Sequence, residues 1–81
     1  MTTFEEVKEA FQELINDNDV PRSLREKLRK MVDYINTSKE ADDLKANKLL
    51  TELEEVSGDI NIPTFIRTQL WGISSLLEQI N

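Results

Sequence analysis

The sequence predicts an all-α fold, and three observations predict it. Apolar residues recur at three- and four-residue spacing over four separate stretches, strand-like alternation is missing, and one turn motif occurs twice. The two copies are Asp17-Asn18-Asp19-Val20-Pro21-Arg22-Ser23-Leu24-Arg25 and Asp59-Ile60-Asn61-Ile62-Pro63-Thr64-Phe65-Ile66-Arg67, 42 residues apart. The same offset pairs Val7 with Leu49, Phe11 with Leu53, Leu14 with Val56, Leu28 with Leu70 and Met31 with Ile73. A duplicated helix–turn–helix unit produces this period, because one helical hairpin cannot bury its own apolar face. The expectation is a four-helix bundle of two related hairpins, about 3–36 and 38–80, in a single domain over 1–81. Two repeats leave no interior repeat to protect, which favours a closed bundle over an open two-repeat stack.

The first helix is announced by Thr3 and Glu6, the spacing of a capping box. Phe4, Val7, Phe11 and Leu14 then fall on one stripe, and Asn16-Asp17-Asn18-Asp19 ends the helix, since these side chains compete for backbone hydrogen bonds. A second helix starts near Pro21, whose missing N–H is harmless in a first turn, and buries Leu24, Leu28, Met31 and Ile35. The third helix is expected from Thr37 or Ser38, with Thr37 and Glu40 as another capping box. Its expected stripe is Leu44, Leu49, Leu50, Leu53 and Val56, and Gly58 is its stop. The fourth runs from about Pro63, with Ile66, Leu70, Ile73, Leu77 and Ile80 inward.

The repeated motif reads as a tight αα corner. Asp19 and Asn61 would offer acceptors to the first N–H groups of the next helix, where the dipole favours them. Val20 and Ile62 would pack on Leu24 and Ile66. Arg25 and Arg67 would reach back to Asp17 and Asp59, so that Asp17, Pro21, Arg25, Asp59, Pro63 and Arg67 form the structural corners. A second reading makes the corners binding loops; duplicated positions more commonly report shared architecture.

These residues also carry a resemblance. A turn of the form Asp-x-x-Val-Pro-x-x-x-Arg followed later by Asp-x-Asn-Ile-Pro-x-x-x-Arg-Thr-x-Leu-Trp is similar to the short archaeal family of uncharacterised proteins numbered 0147. Here the second part runs from Asp59 to Trp71, and the match spans nearly the whole chain. The resemblance implies a compact four-helix fold and no assigned activity, so it brings no functional residues with it. The first copy has no tryptophan equivalent. A weaker similarity, to the repeats of HEAT-type scaffolds, rests on the Asp…Arg corner and the period.

Trp71 falls on the far side of the fourth helix from Ile66, Leu70, Ile73 and Leu77, beside Thr64, Thr68 and Ser75 and near only one charge, Glu78. A tryptophan among small uncharged neighbours marks a surface covered either by another helix of the same domain or by another chain. Thr64, Thr68, Trp71 and Ser75 are therefore the candidate interface.

The remaining composition excludes more than it assigns. The chain has 81 residues, no cysteine and no histidine, which removes disulfides, thiolate nucleophiles, the usual zinc sites and the commonest general base. Adjacent carboxylates such as Asp42-Asp43 and Glu54-Glu55 diverge on a helix and do not converge on a substrate. Asp17-x-Asp19 opens like a calcium loop, but Arg22 stands where the turn glycine is needed. Asn36-Thr37-Ser38 is a glycosylation sequon, without meaning in an unsecreted protein. No catalytic, cofactor or metal residues are assigned. The formal charge is −6, with a basic run in the second helix (Arg22, Arg25, Lys27, Arg29, Lys30). That run has no interleaved aromatic platforms, so charge complementarity with a neighbouring helix is a better reading than nucleic-acid contact. No stretch is apolar enough for a signal peptide or a membrane span, and a cytoplasmic location is expected. The functional expectation is a small protein-interaction or self-association module, with a protein partner or a second copy as a homodimer. The alternative is an accessory factor to RNA or a ribonucleoprotein that uses the basic helix.

Overall fold

A computed structural model describes residues 2–80 of the chain. Thr3 opens α1 (Phe4–Ile15), its hydroxyl accepting the Glu6 N–H at 3.4 Å. Val7, Phe11, Leu14 and Ile15 are buried and Phe4 half-buried, the result of apolar residues three and four apart. α2 (Arg22–Thr37) buries Leu24, Leu28, Met31, Val32 and Ile35. α3 (Asp42–Ser57) buries Ala46, Leu49, Leu53 and Val56, and α4 (Thr64–Glu78) buries Ile66, Leu70, Ile73 and Leu77, with Ile80 packed just beyond its end. All four stripes contribute to one core. Phe11, Leu28, Leu53, Ile66 and Leu70 have no appreciable solvent contact within it.

The helices form two hairpins, α1 with α2 and α3 with α4, and α1 also packs on α4. Six-residue connections (16–21 and 58–63) force each hairpin to be antiparallel. α2 and α3 are joined directly yet do not pack closely along their length. The bundle therefore closes on three sides and opens on the fourth, where a closed bundle was expected.

The two inter-helix turns share their hydrogen bonds at the 42-residue offset. Asp17 Oδ1 accepts the Asp19 N–H at 2.9 Å, and Asp59 Oδ1 accepts the Asn61 N–H at 2.9 Å. Val20 N–H donates to the Asp17 carbonyl at 3.1 Å, and Ile62 N–H to the Asp59 carbonyl at 3.2 Å. Each aspartate thus folds the chain onto itself two residues on, as an Asx turn. Val20 and Ile62 are buried beneath, while Pro21 and Pro63 occupy the N-cap positions with φ of −54° and −57°.

Four expectations at these elements are corrected. Asp19 and Asn61 do not cap the following helices, which have no side-chain cap; the turn aspartates claim that chemistry two residues earlier. No ion pair joins Arg25 to Asp17 or Arg67 to Asp59 among the described residues. Instead Arg67 donates to three backbone carbonyls, from Nε to Ser57 at 3.0 Å and from Nη2 to Asp59 and Ile62 at 3.1 and 3.4 Å. Arg25 makes no such set, and its Nε is buried without a partner. The third helix starts at Asp42, not at Thr37 or Ser38. Thr37 is the last residue of α2, its hydroxyl bonded to the Asp33 carbonyl at 2.8 Å, and Ser38 accepts the Glu40 N–H at 3.1 Å in a turn of its own. Leu44 is exposed, because it lies about 140° from Leu49 at 100° per residue. The inward position there belongs to Lys45, in phase with Leu49 and Val56.

Candidate interaction face

α4 is the least charged helix, with Arg67 and Glu78 as its charged residues. Arg67 is turned into the α3–α4 corner by its three carbonyl partners, which withdraws its charge from the outer surface. With Ile66, Leu70, Ile73 and Leu77 committed to the core, the opposite face presents Thr64, Thr68, Trp71 and Ser75, all exposed. Trp71 is 57% exposed, so no helix of this chain covers it. Thr68 donates its hydroxyl to the Thr64 carbonyl at 3.1 Å, which satisfies that group within the helix. The face is thus smooth and uncharged until Glu78, with one large side chain at its middle. Phe65, 51% exposed, stands on a flank of the same helix about 120° from Trp71.

The open side of the bundle forms a second surface. A groove of about 530 Å³ lies between α2 and α3, its lining including Leu24, Met31, Val56 and Ile62. Lys27 and Lys30 stand on the α2 bank, and Glu52, Glu55 and Asp59 on the other. Opposite charges face each other across the groove, but no described ion pair spans it. The basic run therefore does not form one continuous surface. Lys27 and Lys30 line the groove, Arg25 is half-buried elsewhere, Arg22 pairs with Glu26 on its own helix at 3.4 Å, and Arg29 is exposed without a described ion pair.

Two clusters that the sequence did not flag hold the ends of this groove and of the core. Between α2 and α3, the Tyr34 hydroxyl donates to Glu40 at 2.8 Å and Lys48 reaches the other carboxylate oxygen at 2.7 Å. These bonds shift all three groups. The Lys48 and Tyr34 hydrogen bonds hold Glu40 below the usual carboxylate range. Partial burial, reinforced by the hydrogen bond to Glu40, raises the Tyr34 phenol, and the bond to Glu40 raises Lys48. The second cluster centres on Lys45, buried to 9% exposure, with Nζ 5.0 Å from the Phe4 ring centre and 3.5 Å from the Ile35 carbonyl. It ties α1, α2 and α3 together at one end, near Asp42 at 3.9 Å. Its signal in the sequence was a lysine in a hydrophobic phase, where an apolar stem can pack and a charged tip can reach a helix C-terminus.

Among the described residues, no three histidine, cysteine, aspartate or glutamate side chains converge as metal ligands, and no helix is long and apolar enough to cross a membrane. The fold and its surfaces define a small all-α helical protein with an uncharged, tryptophan-bearing face and an open groove. The chain belongs to the uncharacterised protein family UPF0147, whose family model matches residues 1–80. It is 36% identical over 78 residues to a UPF0147 protein of Methanothermobacter thermautotrophicus, covering 96% of this chain and 76% of that one. A UPF0147 protein of Archaeoglobus fulgidus is 35% identical, over 95% of this chain and 87% of its own. Two solved structures share the fold. One is a UPF0147 protein from Thermoplasma acidophilum, with a TM-score of 0.84 at 33% identity, over 93% of this chain and 88% of that one. The other is the protein of unknown function MMP1188, with a TM-score of 0.85 at 27% identity, over 95% and 88% of the two chains. The family description assigns no activity.

Proposed function

We propose that the protein is a small helical interaction module, without catalytic activity, that works in the cytoplasm through the outer face of α4. The observation that carries this reading is the exposure of Trp71 on a face formed by Thr64, Thr68 and Ser75, in a chain where 32% of residues are charged. Tryptophan buried at an interface is among the commonest large contributors to binding, often about 2 kcal/mol or more on truncation. An uncharged face lets it be buried without stranding charges in a dry contact. The division of the basic residues of α2 between a groove, an intrahelical pair and a half-buried site argues against that helix as a nucleic-acid surface.

The test compares Trp71→Ala with wild type in two measurements. Melts should agree within about 0.5 kcal/mol, since the residue is exposed and makes no described hydrogen bond. Association with partners captured from the native lysate, before and after nuclease, should fall at least about thirtyfold in the variant. A partner retained by Trp71→Ala would overturn the reading. A partner lost to nuclease from wild type would point to α2 and RNA instead.

A further inference from the structure

We infer that the occupant of the α4 face is the α4 face of a second copy, packed antiparallel about Trp71. The inference rests on the interaction reading above and adds to it the partner and the geometry. Along α4 the outward residues are Thr64, Thr68, Trp71, Ser75 and Glu78, spaced four, three, four and three. That is the 3.5-residue repeat of a helix-pairing seam, running opposite the core-facing stripe. Threonine and serine at three of its five positions (Thr64, Thr68 and Ser75) keep the backbone close to whatever lies on it. Trp71 is the eighth residue of a fifteen-residue helix, so a two-fold axis through its position pairs the seam with itself end to end.

Charge decides between a second copy and another partner, and between the two orientations. Two copies of a chain with net charge −6 repel one another over most of their surface. The α4 face is where they can meet without opposing like charges, apart from Glu78. In a parallel pair the two Glu78 carboxylates would stand together. In an antiparallel pair each Glu78 lies over the other copy's α4 start at Thr64. That helix start has no side-chain cap and no acid in its first turn, and its free N–H groups form the positive end of the helix dipole. Within its own helix Glu78 occupies the opposite, unfavourable end. The seam's one charge is misplaced in the single chain and well placed in the antiparallel pair.

The seam is about 22 Å long, at 1.5 Å per residue, and one helix wide. It falls short of the roughly 800 Å² per partner of a standard interface, which places the dimer among weak, transient contacts.

The absence of native cysteine makes a cross-linking test clean. In the antiparallel pair Thr68 lies within about 1.5 Å along the axis of Ser75 of the other copy, while two Thr68 residues, or two Ser75 residues, are about 9 Å or more apart. That separation exceeds the roughly 7 Å limit between disulfide-bonded Cα atoms. Thr68→Cys and Ser75→Cys are therefore prepared separately and oxidised alone and as a mixture, alongside wild-type sedimentation from about 10 μM to 1 mM. Circular dichroism melts confirm that both variants fold. The expected result is a concentration-dependent dimer, and a covalent heterodimer in the mixture at about tenfold or more the yield of either variant alone. Efficient self-linking of each variant alone would overturn the antiparallel geometry. Wild type that stays monomeric at 1 mM, with no cross-linking, would overturn the second copy as occupant. In that case the interaction reading survives only if Trp71→Ala still loses its lysate partner.

Discussion

The two arginines of the repeated motif occupy equivalent places and do different work. Arg67 donates to three carbonyls at the end of α3 and in the turn that follows, of which the Asp59 carbonyl also accepts the Ile62 N–H while the Ser57 carbonyl lies at the helix end, where intrahelical partners run out. Arg25 makes none of the equivalent bonds and leaves a buried Nε unpaired. Arg67→Ala is therefore expected to cost about 1–3 kcal/mol, the range for hydrogen bonds from a charged donor, and Arg25→Ala less than about 1 kcal/mol. Denaturant midpoints of the two variants check this, and equal midpoints would remove the carbonyl bonds from the account. Lys45 poses the opposite problem, a cation held in an apolar phase by its stem. Lys45→Met keeps that stem and forfeits only the contact with the Phe4 ring and the Ile35 carbonyl, an expected loss of about 1 kcal/mol. Lys45→Ala empties the site and should cost about twice as much or more, read from thermal melts of both variants.

At the scale of elements, the turns and the α2–α3 link differ in what the residues made legible. Helix number, the stripes of α1, α2 and α4 and the positions of both αα turns follow from periodicity and from the Asp…Pro pattern. These are local signals, and nothing in the packing opposes them. The third helix was harder to place because its start is set by a turn that outcompetes a cap. Ser38 binds the Glu40 N–H, and Glu40 is then taken by Tyr34 and Lys48, so the Thr37–Glu40 spacing never acts as a capping box. The inward phase of α3 was obscured by Lys45, and the Leu44 that replaced it in the expected stripe points away. Pairing of arginine with aspartate was inferred from charge, whereas backbone carbonyls left by a helix end are invisible in a sequence. The same link predicts a pH dependence. Glu40 has a folded-state pKa below its unfolded value, so its contribution is present at neutral pH and is lost as pH falls through the depressed value. Tyr34 and Lys48 are raised, so theirs is present below their ordinary pKa values and is lost in alkali. Melts of wild type and Glu40→Gln should differ on the neutral plateau and converge only as pH falls below the ordinary glutamate range, through the depressed value. A difference that persists unchanged to pH 2 would show that the carboxylate charge is not what Tyr34 and Lys48 recognise.

For the whole molecule, the sign of the salt dependence separates the kinds of partner. Acidic residues dominate the chain and its net charge is −6, while the α4 face carries almost none of that charge. When two copies meet through that face, the repulsion to be overcome is long-range and comes from the rest of each surface. Salt screens it: the Debye length falls from about 14 Å at 0.05 M to about 4 Å at 0.5 M. Self-association through Trp71 is therefore expected to tighten severalfold over that range. Contact with nucleic acid through the basic residues of α2 would weaken over the same range, since bound counterions are released when phosphates are neutralised. Sedimentation equilibrium of wild type and Trp71→Ala at the two salt concentrations gives the answer. Association that strengthens with salt in wild type and is lost in the variant places the contact on the uncharged face. Association that weakens with salt and is indifferent to Trp71 would move it to a charged surface, most directly to the opposed banks of the α2–α3 groove.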